Sequence, residues 1–141
     1  MATPTWILIL TPCEVEMTLV DTSVWIDGFR GGESKETLKN LIDHDSICIN
    51  DIILAELLPS IRKRGETELE NLLNLLPKVP MQIDWNGLIY MQTENLKHGI
   101  NKVGLPDLMI AQNVLQNGLT LFSLDRHFEL IGDLLPLQLY K

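Results

Sequence analysis

From Leu19 onward, short apolar runs alternate with stretches of helical periodicity, which restricts the chain to a parallel sheet wrapped by helices. Strand-like runs fall at Leu19-Val20 and at residues 46–49, 79–83, 119–123 and 137–140. Between them, residues 33–43 carry Leu38, Leu41 and Ile42 on one helical face. A further helix begins at an Asn50 or Asp51 cap and runs through Ile61 despite Pro59; others cover 66–76, 85–98 and 106–117, and a short one follows Asp125. Pro80 confines its own run to a sheet edge or a strand start.

The chain turns most sharply at Leu19-Val20-Asp21-Thr22-Ser23-Val24-Trp25-Ile26-Asp27, where an apolar strand ends in a carboxylate and enters a helix. Open parallel sheets bind their ligands at the carboxyl ends of the strands, so the position of Asp21 matters more than its identity. The ordinary alternative is that Asp21 only caps the helix, although Thr22 or Ser23 could cap it as well. Three further acids recur in comparable places. Asp125 follows another apolar strand, and Glu56 and Asp107 lie in early helical turns that start near the same rim. Such a cluster repels itself unless cations bind, so at least one acid is expected to have a raised pKa in the metal-free protein. Oxygen ligands favour hard cations, Mg2+ or Mn2+, which suit phosphodiester hydrolysis without a side-chain nucleophile.

Composition narrows the reading further. The chain has 141 residues, 45% of them hydrophobic, enough for one domain with a real core. With 19 acidic against 11 basic residues its formal charge is −8, which argues against coating nucleic acid through a broad basic face. Four acids around divalent cations would leave half of that excess elsewhere, so an enzyme acting on nucleic acid is not excluded. Cys13 and Cys48 make neither a disulfide framework nor a thiolate metal site, which suggests a reduced, cytoplasmic protein. His44, His98 and His127 show no zinc-like pairing and read as surface or packing histidines. Arg62-Lys63-Arg64 before Gly65 reads as a basic helix end suited to the helix dipole rather than an RNA contact. Trp6-Ile7-Leu8-Ile9-Leu10 is too short to span a bilayer, so no membrane association is expected. Residues 1–16 are expected to lie outside the domain proper, as an added edge strand or a misassigned start before Met17, leaving 17–141 as the domain.

Val20-Asp21-Thr22-Ser23-Val24-Trp25-Ile26-Asp27, Ala55-Glu56-Leu57, Pro106-Asp107-Leu108-Met109-Ile110-Ala111 and Ser123-Leu124-Asp125-Arg126-His127-Phe128 together resemble the successive motifs of PIN-domain ribonucleases, especially VapC-type toxins. The resemblance spans residues 18–141 in order. It implies a three-layer α/β/α fold with a central five-stranded parallel sheet. It also implies a Mg2+- or Mn2+-dependent endoribonuclease that acts on RNA, forms a homodimer and is inhibited by a cognate antitoxin. Asp21, Glu56, Asp107 and Asp125 would form the acidic quartet, with Asp21 and Asp107 as direct metal ligands. Ser123 stands where many members have Thr; either hydroxyl can orient a carboxylate or a water, and it is assigned no catalytic role. Trp25, Ile26 and Phe29 are either ordinary core or part of an antitoxin groove. A phosphotransferase of the haloacid-dehalogenase kind would need a second Asp where Ser23 stands. A non-catalytic PIN-like module binding a partner or RNA is the other alternative, and the presence of all four acids favours the enzyme.

Overall fold

In the computed structural model, which describes residues 3–8 and 16–141, the elements run in the order α1 (Thr5–Leu8), β1 (Thr18–Val20), α2 (Thr22–Phe29), α3 (Ser34–Asp43), β2 (Ile47–Cys48), α4 (Asp51–Lys63), α5 (Thr67–Leu75), α6 (Trp85–Lys97), α7 (Leu105–Gln116), β3 (Thr120–Phe122) and α8 (Arg126–Leu134). The three strands pair in the order β2-β1-β3, all parallel, with Thr18 opposite both Ile47 and Thr120. Two further segments extend this sheet in parallel through single bridges, Lys78 beside Ile49 and Leu139 beside Leu121. Each exchanges two backbone hydrogen bonds of 2.8–2.9 Å with its neighbour. The five-stranded parallel sheet is therefore present, with its outer members reduced to one bridge each. Pro80 is compatible with this edge position, since in register its missing N–H would point away from the neighbouring strand that Val79 bonds.

Helices α2 to α5 pack among themselves, as do α1, α6, α7 and α8. The chain steps from β1 to one side of the sheet and later to the other, so right-handed crossovers place these groups on opposite faces. Leu19, Val20 and Leu121 are fully buried although successive side chains point to opposite faces, which requires cover on both.

The breaks between elements have local causes. After α2 the chain reverses through Gly31 at φ +75°, and Asp27 accepts a 2.9 Å hydrogen bond from the Ser34 N–H at the start of α3. A side chain on Gly32 would collide with the Asp27 carboxylate that makes this bond. At the other end of α4, Arg62 grips Glu70 through bonds of 3.0–3.1 Å and Arg64 lies 3.4 Å from Glu66. Two members of the basic triplet thus join α4 to the start of α5.

The N-terminal segment departs from the expected edge strand. Residues Thr5–Leu8 form a helical turn, and the Trp6 indole donates a 3.0 Å hydrogen bond to Asp84 Oδ2. Asp84 also caps α6 by accepting from the Gly87 N–H. A Cβ on Gly87 would stand 2.8 Å from the Trp6 ring, so the absence of a side chain there makes room for the indole. Residues 9–15, which include Cys13 and the end of the apolar run, lie outside the described residues.

Candidate active site

The site begins where β1 ends. The Asp21 N–H donates to Phe122 O at 2.9 Å, holding the end of β1 level with the end of β3. Asp21 then takes the N-cap position of α2 with extended backbone, yet its carboxylate makes no capping bond. Both hydrogen bonds it accepts fall on Oδ2, from Ser23 Oγ at 2.7 Å and Ser123 Oγ at 2.8 Å. Each of those hydroxyls accepts in turn from the turn into α8, Ser23 from the Leu124 N–H and Ser123 from the Asp125 N–H, both at 3.0 Å. A hydroxyl has one proton, and here both protons are committed to Asp21. Ser23 is therefore not a helix cap, and the expectation that it or Thr22 caps α2 is corrected. Ser123 does orient a carboxylate.

Asp107 enters from a different element. Pro106 in the first turn of α7 fixes the backbone where its missing N–H costs nothing, and it places Asp107 among the free N–H groups of the helix start. Asp125 is the N-cap of α8 and accepts from the His127 N–H at 2.9 Å. The same turn sets the His127 ring, whose Nδ1 lies 3.0 Å from Asp107 Oδ2 and 3.5 Å from Asp125 Oδ1. One ligand atom from each of Asp107, Asp125 and His127 falls within 4.8 Å of the others. This corrects the reading of His127 as an ordinary histidine. The signal available was its spacing of two from Asp125 at a strand-to-helix turn.

Glu56 reaches the group from α4. That helix is capped by Asn50, whose Oδ1 accepts from the Ile53 N–H at 3.0 Å while its Nδ2 donates to Asn113 Oδ1 of α7 at 3.0 Å. Asn113 in turn donates to Pro80 O at 3.0 Å, and both asparagines are buried. A buried polar link therefore fixes the helix carrying Glu56 against the helix carrying Asp107.

The acids feel one another's charge. The Glu56 carboxyl is pushed above the usual range, first by loss of hydration and then by the charges of Asp21 and Asp107. Asp107 is also pushed up, first by burial; His127 opposes the rise, and the charges of Asp125 and Asp21 add to it. The expected raised pKa is thus found at two of the four acids, with desolvation ahead of repulsion as the cause. As a donor set, four carboxylates and an imidazole at the end of a sheet suit a divalent cation, and they are poorly matched to an anion.

The sequence matches the PIN domain family over residues 18–134, and the chain belongs to that family. No curated protein matches it. Solved structures do share its fold. VapBC2 from Rickettsia felis, bound to a DNA fragment from its promoter, aligns with TM-score 0.69 at 21% identity over 88% of this chain and 97% of that one. FitAcB from Neisseria gonorrhoeae aligns with TM-score 0.69 at 21% identity over 89% and 97%. DNA-bound VapBC from Salmonella typhimurium aligns with TM-score 0.67 at 19% identity, again over 89% and 97%. Among the described residues, no helix is long and apolar enough to cross a membrane.

Proposed function

We propose that this PIN domain is a Mg2+- or Mn2+-dependent endoribonuclease of the VapC type, the toxin of a toxin–antitoxin pair. The observation that carries the reading is the meeting of Asp21, Glu56, Asp107 and Asp125 at the carboxyl end of the sheet, with two serine hydroxyls committed to Asp21. Asp21 and Asp107 would hold the cation directly, and Glu56 and Asp125 directly or through water. A bound cation polarises a phosphoryl oxygen and lowers the pKa of a water. The chain supplies position and charge. Ser23 and Ser123 hold Asp21 Oδ2, which leaves Oδ1 as the oxygen facing other partners. The partial burial of Asp107 weakens competition from water, so this acid acts at lower effective dielectric than on an open surface.

The partner reading rests on α2. Trp25 is core, with its indole donating to Val20 O at 3.1 Å. Ile26 is 39% exposed, and with Phe29 it lines a shallow groove that runs along α4 past Leu57 to Glu56. An antitoxin segment seated there would place its side chains beside the acids, which is how it would inhibit. VapBC2 and FitAcB share the fold; as the toxin of a toxin–antitoxin pair, the chain would form a homodimer bound to its antitoxin.

The test is cleavage of RNA by purified protein with Mg2+ or Mn2+, repeated with EDTA and with Asp21→Asn and Asp107→Asn. The amides keep the shape and lose the charge. Cleavage should vanish in the variants and in EDTA while the proteins stay folded; unchanged activity in both variants would sink the proposed site. Co-expression with the neighbouring small gene product should relieve toxicity and co-purify.

A further inference from the structure

Asp107, Asp125 and His127 differ from the rest of the site in one respect: they offer a nitrogen beside two oxygens. We propose that His127 is itself a ligand of the cation, and that its nitrogen makes the site favour Mn2+ over Mg2+. The proposal rests on the metal-centre reading above and adds a selectivity that the acids alone do not supply.

The geometry is already that of a binding edge. Two donors on adjacent corners of an octahedron with metal–ligand bonds near 2.1 Å are separated by about 3.0 Å. His127 Nδ1 and Asp107 Oδ2 are 3.0 Å apart, and Nδ1 and Asp125 Oδ1 are 3.5 Å apart. In the metal-free protein that edge is closed by a proton, since Nδ1 donates to Asp107 Oδ2; moving the proton to Nε2 lets one ion touch all three groups with the ring in place. The backbone that carries the ring is fixed, because the His127 backbone N–H donates to Asp125 Oδ1 at 2.9 Å in the first turn of α8. The imidazole is partly exposed, with side-chain accessibility of 36%, so an ion and its waters can reach it.

Chemistry then decides between ions. Mg2+ takes oxygen ligands and keeps most of its water, so a nitrogen in its shell replaces a better donor. First-row transition ions accept imidazole, and their affinity for nitrogen-containing sites rises along the series that begins with Mn2+. An all-acid site would discriminate little between the two; exchanging one oxygen for nitrogen tilts it.

The experiment uses the full chain with the metals alone. Mn2+ binding is followed by loss of the free-ion paramagnetic resonance signal and Mg2+ binding by calorimetry, for the parent, His127→Gln and His127→Asp, with thermal melts to confirm that each is folded. Bound Mn2+ should show spin-echo modulation from a directly coordinated nitrogen in the parent and none in His127→Gln. The Mn2+ to Mg2+ affinity ratio should fall by roughly tenfold or more in His127→Gln, the scale on which losing one well-placed group at a metal site acts. It should fall further in His127→Asp, where a charged carboxylate, the donor Mg2+ prefers, takes the place of the nitrogen. Bound Mn2+ without nitrogen modulation, or modulation that survives His127→Gln, overturns the assignment of His127 and leaves the acidic centre standing. A parent that binds neither ion overturns the metal centre, and this proposal with it.

Discussion

Replacing Asp107 by Asn tests whether the acids share one site, because the sign of its effect should reverse when metal is added. The carboxyl of Asp107 is pushed up by burial and by the charges of Asp125 and Asp21. Its folded pKa therefore exceeds its unfolded one, and the native state holds a proton that the unfolded chain releases. Stability from this group is lost as pH rises from the ordinary carboxylate range through the raised value. Asn carries no charge and can still accept from His127 Nδ1. Ligand atoms of Asp107 and Asp125 lie within 4.8 Å, where two full charges repel by about 1 kcal/mol in water and about 3.5 kcal/mol at an effective dielectric of 20. Side-chain accessibilities of 23% and 38% put the pair nearer the watery limit, so about 1 kcal/mol is expected after screening. In EDTA at pH 7 the variant should melt about 3 °C above the parent, and the gap should close as pH falls toward 4. With Mn2+ at a hundred times its Kd the parent should gain about 2.7 kcal/mol, and the variant much less, so the order of melting reverses. A variant that is less stable in EDTA and responds to metal as the parent does would show that Asp107 belongs to no shared cation site.

Other consequences can be checked separately. Ser123→Ala removes one hydroxyl from Asp21 and leaves the Asp125 N–H without its acceptor, so it should cost about 1 kcal/mol in melting experiments and weaken metal binding. Truncation to Met17 should lower the melting temperature, and Trp6→Phe should reproduce about 1 kcal/mol of that loss, since it removes the hydrogen bond to the Asp84 carboxylate; equal melting of all three proteins would place residues 1–16 outside the folded unit. Cys48, buried and with its thiol pushed up to about 12 by loss of hydration, should resist iodoacetamide at pH 8 in the native protein and react after unfolding, as read by peptide mapping.

Much of this arrangement was legible because strong local signals agreed with one another. Apolar runs ending in Asp21 and Asp125 located the rim of the sheet, and Pro106 located the start of the helix that carries Asp107. The outer strands were harder. Their existence could be read from residues 79–83 and 137–140, but a single bridge at each edge depends on how the neighbouring backbone approaches, which periodicity does not record. Thr22 and Ser23 illustrate a second limit. Either could serve as a cap by its position, and only the spatial nearness of Ser123 explains why Ser23 turns to Asp21. His127 has no histidine at metal-site spacing to mark it, because its partners are acids twenty and two residues away. Trp6 looked like part of an apolar strand; its role depends on Gly87 and Asp84, which no local pattern connects to it.

The buried Asn50–Asn113 pair bears on how this centre tolerates ions of different size. Most clusters of like charge relieve themselves by drifting apart, and a site that can drift will reshape itself around whatever ion arrives. Here the cap of α4 is tied to the body of α7 by the buried Asn50 amide, which donates to Asn113, and Asn113 is itself anchored to Pro80 O. The placement of the start of α4 against α7 is therefore set by the scaffold rather than by an occupant. If the acids hold a cation as proposed, such a frame would behave as a calliper: an ion too large for the opening would give up a ligand before the helices parted.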